Sequence, residues 1–400
     1  MAMRINLLTL GSQGDVQPFV ALGRGLVRAG HEVTLSTADQ FESFVRRHGL
    51  GFHPLDGEFL RLQEAKGAME GGGDKLGLMR KVKPMLRRML DDAWRGAQNS
   101  DMLVYHPKVL AGLDIADALG VPAALAVPAP FVVPTRDFPS AIVPPNWRLG
   151  GWFNRLTYAL TPLAEAAFAD VVNAFRVETL RAARRRAFRP ALRRADGRPL
   201  PVLHAYSAAV VPRPDDWPAE AAITGYWLLR DEAPWAPSPD LARFLDGGPP
   251  PLYVGFGSMT SRDAAEKGRL VVEAVRLAGQ RAVLASGWGA IAIAEDADDL
   301  LVIEQAPHDR LFPRMGAVCH HGGAGTTAEG LLAGRPSLIC PFFGDQPFWG
   351  ARVQALGVGP QPIPQRELTA PRLAAAMQQA MSDEAMRMRA QALQSALVAE

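Results

Sequence analysis

Short apolar runs alternate with longer segments in which apolar residues recur every three or four positions, and this rhythm continues along most of the 400 residues. The short runs, bounded by Gly, Pro, Asn or Asp, read as buried strands; the longer period reads as helices that cover them. Residues 4–10 form the first strand, followed by a loop, a helix over 16–29 and a helix stop at Gly30. Strand 31–37, helix 41–48, strand 51–55, an irregular helical stretch over 75–97, strand 102–106, helix 109–119 and strands 123–127 and 202–206 complete a first series. Six prolines from Pro234 to Pro251 then break the pattern. A second series follows, with strand 252–256, helix 264–278, strands 282–285, 300–303 and 316–319, a glycine-rich turn, helix 328–333, strand 337–341 and helix 348–356. Two helical segments fill 371–397.

Strands alternating with helices predict parallel sheets covered on both faces, an α/β fold. The expected division is a first doubly wound domain over 1–228, a linker over 229–250 and a second doubly wound domain over 251–400, the two facing across a cleft. Ligands of such sheets bind beyond the carboxyl ends of the strands.

The turn His320-His321-Gly322-Gly323-Ala324-Gly325-Thr326-Thr327 lies at such an end. A strand leading through glycines into a helix leaves backbone N–H groups unpaired where the dipole favours negative charge. Absent side chains let a phosphate approach, and His321 and the threonines add donors, so a diphosphate is the expected ligand. Glycine needed only for turn geometry is the plainer alternative. Neither the P-loop pattern nor a G-x-G-x-x-G after the first strand is present.

Composition narrows the field. With 48% apolar and 21% charged residues the chain reads as globular, and a net charge of +2 exerts no overall pull on nucleic acid. Two cysteines, Cys319 and Cys340, lie in apolar runs and read as core residues of a reducing compartment. The first strand starts without a leader-like series, and no apolar stretch reaches the roughly 18 residues of a membrane span, so the cytoplasm is expected. Adjacent His320 and His321 diverge, and the letters Asp296-Ala297-Asp298 sit in an acidic loop, so no metal is expected.

The stretch from Pro307 to Val353 resembles the donor-binding signature of inverting nucleotide-sugar glycosyltransferases with the GT-B fold. Within it, Pro341-Phe342-Phe343-Gly344-Asp345-Gln346-Pro347-Phe348-Trp349-Gly350 is similar to sterol 3β-glucosyltransferases. The opening loop Gly11-Ser12-Gln13-Gly14-Asp15-Val16-Gln17-Pro18 resembles that of sterol and glycopeptide-antibiotic enzymes. This resemblance implies donor contacts at Ser258, His321, Gly323 and the amides of Ala324, Gly325 and Thr326 for the diphosphate. It further implies Glu329 for the ribose and Asp345 and Gln346 for the hexose; where plant relatives stack the base on a tryptophan this chain has Gln305-Ala306-Pro307, so the backbone of Ala306, with Trp288 nearby, is the expected base contact instead. Where many relatives have a histidine base, Asp15 stands; an aspartate is ionised at neutral pH and can take the acceptor proton. Its plainer reading is an N-cap.

Acceptor contacts are expected from Gln13, Phe131 and Trp152, the last two in a Pro-, Phe- and Trp-rich segment that suggests walls for a lipophilic alcohol. A helix over 152–188 should follow. Seven arginines between Arg181 and Arg194 form a basic run that usually means a solvated face, or else weak contact with an anionic lipid surface. The UDP-sugar is a co-substrate and no cofactor is expected. Three functions compete: UDP-glucose-dependent transfer to a lipophilic hydroxyl, dTDP-deoxysugar transfer to an antibiotic or glycolipid scaffold, and a non-catalytic nucleotide-sugar-binding partner.

Overall fold

The computed structural model describes residues 1–58, 75–141, 143, 149–160, 166–185, 192–230, 235–256, 264–286 and 298–400, with backbone alone at 75–80 and 264. Two parallel sheets organise them. In the first, β1 (Arg4–Leu8), β2 (Glu32–Ala38), β3 (Gly51–Leu55), β4 (Met102–Tyr105), β5 (Ala123–Val127), β6 (Val202–His204) and β7 (Ala221–Ile223) run in the order β3-β2-β1-β4-β5-β6-β7. The second orders β8 (Leu252–Gly255), β9 (Ala282–Ala285), β10 (Leu300–Ile303), β11 (Ala317–His320) and β12 (Ser337–Ile339) as β10-β9-β8-β11-β12.

Each order turns back once, between β1 and β4 and between β8 and β11. Chains leaving neighbouring strands there depart to opposite faces and open a crevice at the carboxyl ends. Strand β1 buries Ile5, Leu7 and Leu8, as a doubly covered parallel strand must. Its polar exception, Asn6, donates to the Gly96 carbonyl at 2.6 Å and accepts from Ser36 Oγ at 3.0 Å.

Three local expectations change. The first helix spans Gln13–Arg28, earlier than expected, because Ser12 supplies the extended cap residue; Asp15 therefore lies inside its first turn. Helix Pro239–Asp246 occupies much of the expected linker, with Ser238 Oγ accepting from the Leu241 amide at 3.3 Å. Proline at a first helical position starts a helix instead of breaking it, and Leu241 and Leu245 pack with Tyr253 and Val283 of the second half. The expected helix over 152–188 is broken into Gly151–Thr157, a 3-10 turn at Tyr158–Leu160, and Ala169–Glu178.

The halves meet over an apolar seam carried by helix Gln346–Ala355. Phe348 sets its ring edge-on to Phe131 (5.0 Å) and Phe138 (5.5 Å), and Tyr206 meets Trp349 at 6.0 Å. Arg352 Nε donates to the Val210 carbonyl beside them. The last helix, Glu384–Ala399, lies on helix Ala324–Leu332, with Gln394 Nε2 donating to the Leu332 carbonyl at 2.8 Å. It ends near Tyr226, whose phenol is pushed up by burial and then by the charge of Glu400.

Candidate active site

On the first half, the loop after β1 is built around the Asp15 carboxylate. Oδ2 accepts from the Ser12 amide at 2.8 Å and from Ser12 Oγ at 3.2 Å, while Thr9 Oγ1 donates to the Asp15 carbonyl at 3.0 Å. Gly11 makes this possible: its φ is +151°, and a Cβ there would lie 2.0 Å from Oδ2. Only glycine lets the backbone pass so close.

The second oxygen is held from the loop after β4, the strand beside β1 in the sheet. Lys108 Nζ donates to Asp15 Oδ1 at 2.7 Å, and His106 Nε2 lies 3.9 Å from the same oxygen. His106 is buried, its ring edge-on to Phe19 at 6.1 Å, and its Nδ1 accepts from the Lys108 amide at 3.2 Å. Burial pushes this imidazole down to about 4, against the pull of Asp15. The ring is therefore neutral at pH 7 and carries its proton on Nε2, facing Asp15. Burial pushes the Asp15 carboxyl up, yet the Lys108 charge, the His106 side and the hydrogen bonds from Lys108 and Ser12 outweigh it, and its pKa falls below the ordinary value. With His106 neutral, Lys108 supplies the positive charge. The side-chain partners of Asp15 beyond its own turn are thus a lysine and a histidine that nothing in the sequence near it signals.

On the second half, His320 ends β11 and the chain turns through Gly322, at φ +90°, into helix Ala324–Leu332. The helix starts at Ala324 instead of 328 because Gly323 adopts the extended cap conformation. Its first bond runs from the Thr327 amide to the Gly323 carbonyl at 2.9 Å, so the amides of Ala324, Gly325 and Thr326 precede the ladder. Gly325 is exposed at this end, which suits an anion. The two histidine rings diverge, with centroids 6.2 Å apart at 79°. His320 is a structural residue whose Nδ1 accepts from the Gly322 amide at 3.0 Å. His321 flanks the turn, and burial pushes it down to about 4. Near it His308 stacks on Phe312 at 4.3 Å and faces the Tyr253 hydroxyl at 3.4 Å, and Ala306, two residues before His308, packs half-buried against the apolar cluster of Tyr253 and Phe312.

Glu329 is not an open acceptor. Both its oxygens take hydrogen bonds from Arg230 Nη1 at 2.8 Å, a cation contributed by the segment joining the halves. Burial pushes the Glu329 carboxyl up and Arg230 opposes this. Each carboxylate oxygen keeps a further lone pair for a hydroxyl donor.

Asp345 caps helix Gln346–Ala355, and its Oδ2 accepts from Trp349 Nε1 at 2.9 Å. Burial raises its proton affinity, the Trp349 hydrogen bond opposes this, and the Asp15 charge raises it further while the Lys108 charge lowers it, so the three lie within electrostatic reach of one another. Gln346 departs from expectation: it is buried, and its Oε1 accepts from the Phe342 amide at 2.7 Å and the Phe343 amide at 3.4 Å. Its carbonyl thus staples the loop, leaving only the amide NH2 for a ligand.

Of the acceptor-side candidates, Gln13 is exposed in the first turn that carries Asp15, and Phe131 lies on the seam against Phe348. Trp152 departs from the expected buried wall. It is 76% exposed on the outer face of helix Gly151–Thr157, because Thr157 and Tyr158 are the residues turned inward, towards Ser140 and Phe138. Arg185 and Arg194 of the basic run turn to Asp114 and Asp117, while Arg186 and Arg189 lie outside the described residues. So do Ser258, Trp288, Asp296 and Ala297. Cys319 and Cys340 are buried free thiols with sulfurs 4.0 Å apart. Among the described residues no cluster of metal-binding side chains occurs, and no helix is long and apolar enough to cross a membrane.

Residues 5–132 match the glycosyltransferase family 28 N-terminal domain, and residues 291–400 match the Erythromycin biosynthesis protein CIII-like, C-terminal domain. A sterol 3-beta-glucosyltransferase of Emericella nidulans is 37% identical over 410 residues, covering 98% of this chain and 28% of the relative. One of Penicillium rubens is 37% identical over 375 residues, 89% of this chain and 27% of the relative. The chain therefore spans less than a third of the length of these relatives. Among solved structures, the glycotransferase of kitacinnamycin aligns with a TM-score of 0.72 at 20% identity, covering 100% of this chain and 95% of that one. The calicheamicin glycosyltransferase aligns at 0.66 and 17% identity, covering 100% and 94%. The chain belongs to the glycosyltransferases of the GT-B fold, joining a family 28 N-terminal domain to an EryCIII-like C-terminal domain, and is homologous to the sterol 3-beta-glucosyltransferases.

Proposed function

We propose that the chain transfers glucose from UDP-glucose to a hydroxyl of a lipophilic acceptor, such as a sterol or triterpenoid, with inversion at the anomeric carbon. The observation that carries this reading is the Asp15 carboxylate, fixed at the carboxyl end of the first sheet by Ser12 and Lys108, together with the open amides of the Ala324 turn in the second half. In one displacement the acceptor oxygen bonds to the anomeric carbon, its proton passes to Asp15, and the sugar–oxygen electron pair leaves with the diphosphate. A single attack from the face opposite the leaving group inverts that carbon.

The remaining parts have matching chemistry. Charge grows on the diphosphate as it departs, and the fixed amides of Ala324, Gly325 and Thr326, with His321, stabilise it more in the transition state than before. The free oxygen of Asp345 and the amide of Gln346 take hexose hydroxyls, Glu329 takes the ribose, and the backbone at Ala306 takes the uracil edge. The donor is a co-substrate; this reading uses no cofactor and no metal. The relatives named sterol 3-beta-glucosyltransferases support glucose as the sugar and a sterol-like alcohol as the acceptor.

The test is nucleotide release from UDP-glucose and from dTDP-sugars with a sterol, a flavonoid and a macrolide, and the anomeric configuration of the product by NMR. Turnover with UDP-glucose and the sterol, giving a β-glucoside, is expected. Preference for a dTDP-sugar with the macrolide would move the assignment to antibiotic-type transfer. UDP binding without turnover on any acceptor would make the chain a non-catalytic partner, and absence of UDP binding in calorimetry would reject the donor site.

A further inference from the structure

We propose that Lys108 is a positioning residue of the transfer reaction, gripping Asp15 Oδ1 from the loop after β4 while Ser12 grips Oδ2. The inference rests on the reading of Asp15 as the base and adds a second residue to it.

Three observations carry it. First, the grip is two-sided and direct: Nζ to Oδ1 at 2.7 Å and the Ser12 amide to Oδ2 at 2.8 Å, from elements that are distant in sequence. A carboxylate held at both oxygens has one orientation, and a base must be within hydrogen-bond reach of the proton it takes. Second, the lysine is itself held. The Val109 amide donates to the His106 carbonyl at 2.9 Å, the Lys108 amide donates to His106 Nδ1, and His106 is packed against Phe19. The turn is a built support and not a loose surface contact. Third, Lys108 stands near two carboxylates. Asp15 and Asp345 each respond to its charge and Asp345 responds to Asp15, so removing the ammonium leaves two like charges without their counter-charge.

Among the described residues the titratable and charged groups facing Asp15 are Lys108, His106 and Asp345. With His106 neutral and Asp345 acidic, Lys108 is the one that favours the ionised base. Replacing it by an uncharged side chain lets the Asp15 pKa rise and frees Oδ1.

The experiment compares Lys108→Met, Lys108→Arg and Asp15→Asn in the full chain by steady-state kinetics against pH, with UDP affinity by calorimetry. Lys108 is about half exposed, so Lys108→Arg serves as the variant that preserves packing if Lys108→Met folds poorly. For Lys108→Met a fall in kcat of about 100-fold is expected, the size of an ångström-scale misplacement. The acid limb of the kcat profile should move to higher pH, UDP affinity should stay within about twofold, and Lys108→Arg should recover most of the rate. An unchanged kcat and acid limb in Lys108→Met, with Asp15→Asn inactive, would overturn the role of Lys108 alone. Equal losses in Met and Arg variants with no movement of the acid limb would do the same. Full turnover by Asp15→Asn would remove the base assignment and this inference with it.

Discussion

Replacing Gly11 by alanine should disable the site while leaving donor binding intact. The new Cβ would meet Asp15 Oδ2 at 2.0 Å, Cγ at 2.3 Å and Cβ at 2.6 Å, where ordinary contact begins at 3.4 Å. The carboxylate must withdraw by over an ångström, which is enough to break both the Ser12 and the Lys108 contacts. An L-residue at φ +151° adds strain of about 1–3 kcal/mol. Loss of the half-exposed Lys108 pair adds at most about 1 kcal/mol. A base displaced this far should lower kcat by about 100-fold or more. Gly14→Ala is the control, because its Cβ would find nothing closer than Ser12 Oγ at 3.7 Å and alanine is favoured inside a helix by about 0.5–1 kcal/mol. Urea unfolding, kcat and UDP calorimetry on both variants make the assay. Gly11→Ala with wild-type kcat and stability would show that the Asp15 carboxylate is not where the reasoning needs it.

Gly323→Ala should act on the donor, since its Cβ would lie 2.6 Å from His321 Nε2 and force the ring aside; loss of a charge-assisted hydrogen bond predicts a roughly 10- to 100-fold weaker UDP complex by calorimetry. Trp349→Phe removes the donor to Asp345 Oδ2 and should raise the KM for the sugar donor while the affinity for UDP alone stays the same, a split readable by comparing kinetics with calorimetry. Burial holds His106, His204, His308 and His321 each at about 4, below the ordinary 6.5, so the unfolded chain takes up protons first. Stability should therefore decline as pH falls from about 6.5 towards 4, by up to about 1.4 kcal/mol per pH unit for each histidine, as measured by urea unfolding. A flat stability profile across that window would contradict their burial.

How much of the site was legible depended on whether its parts are contiguous. The glycine turn was legible because His321 to Thr326 lie in one stretch, where glycine spacing and a following helix carry the meaning locally. The placement of Asp15 after the first strand was legible through the Gly11–Pro18 loop. The exposure of Trp152 was not, because an aromatic residue in a Pro-rich segment does not reveal which side of a short helix it occupies. The second duty of Gln346 was hidden for a related reason: side-chain amides serve loops as readily as ligands, and the local turn of Phe342 and Phe343 takes its oxygen.

By itself the order of residues determined the alternation of strands and helices, the parallel α/β class, and the glycine turn with its open amides, all of which follow from neighbours a few positions apart. Tertiary structure alone decided that Lys108, 93 residues beyond Asp15, would hold it, and that Arg230 would hold Glu329 from 99 residues away. Apolar periodicity says that a strand is buried and is silent on which strand lies next to it. Because β4 lies beside β1 in the first sheet, the loops that follow those two strands open into the same crevice and their charges meet.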